Sequence, residues 1–215
     1  MVTPLAILFA AAGGAWGLAA DRIAVRWPEH DAADLPGRRA VGWRTAVAVA
    51  IGAAGLGLVP LRFGSPLAVA VVGAYVAALT LLLATDLDQR LLPNELTLPA
   101  IPLVLLFGLV GANPLVSPGG LLAAGIAALV VPALLLLVSI PFGSGAFGGG
   151  DVKLLVSLGL LAGALRLVVA VVYGFFLAGA VIAVLLVLRR ITLRSFIPLG
   201  PFLILGAYWA LLGPG

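Results

Sequence analysis

The chain has 215 residues, of which 63% are hydrophobic and 9% charged, and its net charge is +4. A soluble domain of this length needs far more charge to cover its surface, so composition excludes one and points to a bilayer as the solvent. Cysteine is absent, which removes disulfides, thiolate zinc sites and a cysteine nucleophile; the scattered basic residues form no stripe for nucleic acid, and no nucleic-acid partner is expected.

Met1 to Ala20 is apolar, and no Lys or Arg precedes the run. It reads as a retained first span rather than a cleaved secretion signal. From there the apolar runs predict eight spans, at 2–20, 45–63, 66–85, 96–112, 118–140, 152–165, 167–188 and 197–213. Most have about the twenty residues that a helix needs to cross the hydrocarbon. The sixth is short and follows a glycine-rich stretch, which leaves its limits the least defined. Small residues such as Gly52, Ala53, Ala54 and Gly55 predict close helix contacts. The expected fold is all-α, a polytopic membrane protein of about eight transmembrane helices. Residues 1–65 form N-terminal spans with a short loop at 21–44, and residues 66–215 form a second unit that carries the site.

Loop charge sets the orientation. Arg22, Arg26, Arg38, Arg39 and Arg44 fall in the 21–44 loop, and Arg189, Arg190 and Arg194 follow the seventh span. With eight spans, these residues share one side with Arg90 and Lys153, while Arg62 and Arg166 fall on the other. That asymmetry places the basic side in the cytoplasm and both termini away from it. The expected location is the inner or plasma membrane.

The acids follow from this topology. Asp21, Glu29, Asp31 and Asp34 share the first loop with arginines and His30, and read as members of a solvated, mixed-charge loop. One histidine without cysteine makes a poor metal site, and no metal is expected. Asp86, Asp88, Glu95 and Asp151 all lie at cytoplasmic ends of spans. Two spans separate Asp86 from Asp151, one out and one back, so the chain returns to the same face. Two carboxylates that meet in a low-dielectric site share a proton. The ionised one then takes a proton from water while the other polarises a carbonyl. Asp86 lies at a helix C-terminus, where the dipole opposes negative charge, and Gly148, Gly149 and Gly150 before Asp151 permit close approach. The residues alone leave other readings open: solvated acids, ion pairs with Arg90 or Lys153, Asp151 as a helix N-cap, or Asp88 in place of one partner. Glu95 reads as a first-turn helix acid.

The segment TDLDQRLLPNELTLP and the later GGGDVKLL resemble the two aspartate motifs of the type IV prepilin peptidases, membrane aspartic proteases of the GxGD type. Asp86 stands seven residues before Pro93-Asn94, and Gly148-Gly149-Gly150-Asp151 is followed by Lys153. IPLGPFLILGAYWALL is similar to the family's last span. The resemblance covers about residue 66 to the end. It implies Asp86 and Asp151 as the catalytic pair, with Asp88, Pro93, Asn94, Gly148, Gly149, Gly150 and Lys153 in supporting or substrate-binding roles. It also implies cleavage of the short basic leader of a membrane-inserted prepilin or pseudopilin at the cytoplasmic face, without a cofactor. Long-form relatives carry paired CxxC zinc motifs after the first span and methylate the new N-terminus with S-adenosylmethionine. The cysteine-free 21–44 loop departs from that pattern, so a peptidase without the zinc-dependent methylation module is expected. The competing readings are a proton-linked transporter using the same acids, although no inverted repeat is evident, and a non-catalytic assembly partner.

Overall fold

The computed structural model describes residues 3–28, 40–142, 147–192 and 198–213. Among them the secondary structure is helical throughout. The α-helices are α1 Pro4–Ala24, α2 Trp43–Arg62, α3 Pro66–Gln89, α4 Asn94–Leu109, α5 Leu121–Ser139, α6 Gly149–Ala162, α7 Ala164–Val187 and α8 Gly200–Leu212. Short 3-10 turns precede and follow α5, at Pro118–Gly120 and Ile140–Phe142. The eight predicted spans correspond one to one with these helices. Five segments are long and apolar enough to cross a membrane: α1, α2, α3, Pro118–Ser139 and α7. Helices α4 and α8 are apolar but shorter. With 14 residues, α6 extends only about 21 Å, less than the hydrocarbon thickness.

Large apolar side chains such as Leu103, Leu109, Leu129, Phe176 and Val187 are exposed, as lipid-facing positions require. Lipid is as apolar as leucine, so helix association rests on close packing of small residues and on interhelical hydrogen bonds. Gly13 of α1 meets the backbone of Gly52, and Gly17 meets that of Ala48. Gly55 makes room for the Tyr208 ring. Gly206 of α8 abuts the Ala170 carbonyl of α7, while Gly174 lies under Phe202 and Leu203. These pairings run antiparallel, 13 with 52 and 17 with 48, 170 with 206 and 174 with 203.

Helix α3 is the most buried of the five long segments and is locked by hydroxyls. Tyr75 and Ser157 of α6 share a hydrogen bond of 2.8 Å. The Tyr208 hydroxyl of α8 lies 2.7 Å from that of Thr80 and donates to the Val76 carbonyl at 3.1 Å. The indole of Trp16 donates to the Ala77 carbonyl at 2.8 Å. Such bonds satisfy polar atoms that lipid would leave bare.

Two local expectations are corrected. Asp21 does not belong to a solvated loop. Helix α1 continues to Ala24, and Asp21 is buried in its last turns, accepting a 2.8 Å hydrogen bond from the Thr45 hydroxyl at the start of α2. A polar partner on the facing helix makes burial tolerable there. Glu29, His30, Asp31 and Asp34 lie outside the described residues. The second correction is the break between the sixth and seventh spans, which the limits 152–165 and 167–188 put at residue 166. It falls at Gly163, whose φ of 87° and ψ of 170° are accessible to glycine and almost nothing else.

Candidate functional site

Asp86 stands one turn before the end of α3. Its carbonyl accepts the N–H of Arg90, which closes the helix in a left-handed conformation (φ 57°). The turn Leu91–Pro93 then leads into α4. Asp151 is the third residue of α6, and its Oδ2 accepts the Gly148 N–H at 3.1 Å. It is therefore not the N-cap, which is Gly148, but the acid that reaches back to it. The negative end of the α3 dipole faces Asp86 and the positive end of the α6 dipole faces Asp151.

Both carboxylates are withdrawn from the surface, Asp86 to 4% and Asp151 to 9% exposure. They line one cavity of about 450 Å³ at a single end of the bundle. Its wall includes Arg90, Leu92, Pro93, Asn94 and Glu95 from the α3–α4 turn, Gly148 and Gly150 from the start of α6, and Pro198, Leu199 and Gly200 from the start of α8. Asp86 Oδ2 is buried and accepts no hydrogen bond from a described residue. A buried, unpaired carboxylate oxygen is costly, and native structures retain few.

The two motif segments are joined directly. Lys153 Nζ donates to Asn94 Oδ1 at 2.5 Å. Gly150 lies against Leu92, where an added Cβ would come within 2.8 Å of the leucine Cβ. The glycine thus allows α6 to begin beside the α3–α4 turn. Pro93 occupies the N-cap of α4, and Glu95 lies in its first turn as expected. Not every predicted residue faces the cavity. Asp88 is paired with Arg44 of α2 and does not line it. Gly149 is exposed and outside it, and Lys153 reaches it only through Asn94.

Sequence reasoning missed Gly200. A Cβ there would meet Asp86 Oδ2 at 2.5 Å and Cγ at 2.9 Å, so the start of α8 rests directly on the carboxylate. The Gly200-Pro201 pair inside the last predicted span was the available signal, since a proline there marks a helix start, although it says nothing about what the helix start touches.

Two buried carboxylates thus share one cavity at one end of a bundle whose described residues include five helices long and apolar enough to cross a membrane, which defines the class as a multi-span helical membrane protein. The sequence profile of the Type IV leader peptidase family matches residues 73–188, more than half of the chain, and the chain belongs to that family. It is 37% identical over 129 residues to a prepilin leader peptidase/N-methyltransferase of Aeromonas hydrophila, and the aligned part is 59% of this chain and 43% of the relative. A protein of the same description from Aeromonas salmonicida strain A449 is 36% identical over 129 residues, with the same shares. The chain therefore spans less than half the length of these relatives. No solved structure matches it.

Proposed function

We propose that the chain is a leader peptidase that cleaves a pilin-like precursor with Asp86 and Asp151 as a two-aspartate centre. The observation carrying this reading is that both motif carboxylates are buried and line the same cavity. Two such groups hold one proton between them and titrate as a pair. The ionised carboxylate takes a proton from water, and the oxygen of that water bonds to the scissile carbonyl carbon. The protonated carboxyl donates to the carbonyl oxygen as charge develops on it. Collapse of the tetrahedral intermediate breaks the C–N bond, and the amine leaves with a proton from the dyad. Asn94 and Lys153 hold the α3–α4 turn against α6, and Gly148 orients the Asp151 carboxylate through its N–H.

The substrate in this reading is a membrane-inserted prepilin or pseudopilin whose cleavage site reaches the cytoplasmic interface. The described bases Arg22, Arg26, Arg44, Arg90, Lys153, Arg189 and Arg190 lie at the helix ends on the aspartate side or in the segments leaving them, which supports that orientation. A peptidase unit from residue 66 onward, behind two N-terminal helices, completes the proposal. A thiolate zinc module for methylation has no cysteine to use within this chain. The family match does not favour a proton-linked transporter.

The test is cleavage in vitro of a prepilin from the same genome, comparing wild type with Asp86→Asn and Asp151→Asn in detergent. Each variant is expected to lose at least about a thousandfold in rate while its helical content stays. Cleavage by both variants at the wild-type rate would refute the dyad.

A further inference from the structure

A second cavity, of about 590 Å³, lies at the opposite end of the bundle, between the end of α2, the segment ahead of α5, the start of α7 and the last turns of α8. Arg62, the final residue of α2, and Arg166, in the first turn of α7, both line it. Among the described residues, every Asp and Glu lies toward the other end: Asp21, Asp86 and Asp88 at the C-terminal ends of α1 and α3, and Glu95 and Asp151 at the N-terminal ends of α4 and α6. Neither arginine has a carboxylate partner among the described residues. Two guanidiniums facing one cavity repel each other, and Arg166 is in addition partly buried. An anion held between them relieves both costs.

Other features identify the anion. Helix α7, 24 residues long, begins at this cavity and adds the positive end of its dipole. Ser117 adds a hydroxyl, while Val116 and Val169 make the adjoining wall apolar. Trp209 also lines the cavity, is 44% exposed, and stacks on Tyr173 with ring centroids 4.9 Å apart. Exposed Trp side chains are enriched at the level of lipid headgroups, and Trp209 lies in the last turns of α8. We infer that this cavity binds the phosphate of an anionic phospholipid, with Arg62 and Arg166 clasping its oxygens and the acyl chains descending along the apolar wall. Guanidinium suits phosphate because its fork donates two parallel hydrogen bonds. A zwitterionic headgroup would bring its own ammonium toward two arginines, so a headgroup of net negative charge is preferred. A soluble phosphate shares the chemistry but cannot use the apolar wall. The inference is independent of the proposed peptidase chemistry.

Native mass spectrometry of the whole chain in detergent, titrated with phosphatidylglycerol or phosphatidylcholine, tests this. The wild type is expected to retain phosphatidylglycerol with affinity about tenfold above phosphatidylcholine. Arg62→Gln/Arg166→Gln is expected to lose that preference, with helical content by circular dichroism unchanged. The charge-conserving Arg62→Lys/Arg166→Lys retains part of it, and this variant guards against misfolding of the first. Arg189→Gln/Arg190→Gln, at the other end of the bundle, retains the tight lipid. Retention of the preference by Arg62→Gln/Arg166→Gln overturns the inference, as does its absence from the wild type or its loss in Arg189→Gln/Arg190→Gln. Displacement of the lipid by equimolar inorganic phosphate overturns the lipid assignment in favour of a soluble anion.

Discussion

A methyl group on Gly200 would lie 2.5 Å from Asp86 Oδ2 and 2.9 Å from its Cγ, far inside van der Waals contact. Gly200→Ala must therefore displace either the carboxylate or the start of α8. A shift of about 1 Å at a reacting group costs on the order of a hundredfold in rate. The expected outcome is that loss in leader cleavage, with membrane insertion and helical content retained; wild-type turnover would show that α8 does not constrain Asp86. The proposed pair, Asp86 and Asp151, could be singled out in the sequence because each sits in a local pattern that resembles a family motif, Asp-x6-Pro-Asn and Gly-Gly-Gly-Asp. Gly200 was not, because its importance comes from a neighbour on another helix. Asp21 was misread for a related reason. Its partner, the Thr45 hydroxyl, is supplied by α2, and no pattern around Asp21 announces it.

At the scale of elements, the boundary between α6 and α7 has a definite energetic content. Gly163 holds φ 87° and ψ 170°, a region that costs an L-residue about 1–3 kcal/mol. An added Cβ would also come within 3.2 Å of Val116 Cγ2. Gly163→Ala is thus expected to lower thermal stability in detergent by that amount, measured as the midpoint of helix loss. An unchanged midpoint would mean that the backbone relaxes freely at this joint. Helix number and order were readable from apolar runs, because lipid imposes length and composition on every span. The limits of α6 were not, since a 14-residue helix with a glycine run at its start and the single Gly163 at its end is set by packing on Leu92 and Ala128 rather than by hydropathy. Small residues in α2 predicted close contacts, and Gly52 and Gly55 make them, one with a facing backbone and one with a tyrosine ring.

For the whole molecule, the proposed orientation assigns the aspartate end to the cytoplasm and the two-arginine end to the opposite side. Absence of cysteine makes this directly measurable by single introduced thiols. In intact cells, a membrane-impermeant maleimide is expected to label Gly64→Cys, between α2 and α3, and to label Arg189→Cys, after α7, only once the membrane is opened. The reverse pattern would place the proposed cleavage centre on the wrong side for a cytoplasmic leader. The bundle also joins its parts unevenly at the aspartate end. Helices α1 and α2 reach α3 through Arg44 with Asp88, and through Gln89 Nε2 donating to the Ala24 and Trp27 carbonyls at 2.6 and 3.0 Å. The last turn of α3, which carries Asp86, is therefore fixed on one side by the N-terminal helices and on another by the start of α8.

The buried Oδ2 of Asp86 has a pharmacological consequence. A small compound bearing a tetrahedral hydroxyl would supply the donor that no described residue supplies once the start of α8, which closes over this oxygen at Gly200, gives way to it. Where Asp86 is the ionised member of the pair, a hydrogen bond to it contributes about 1.5–3 kcal/mol, or roughly ten- to a hundredfold in affinity. The cavity's volume of about 450 Å³ lies within the range that accommodates drug-sized ligands. Removing that hydroxyl from an otherwise identical compound would show whether the oxygen is a usable anchor for inhibitors.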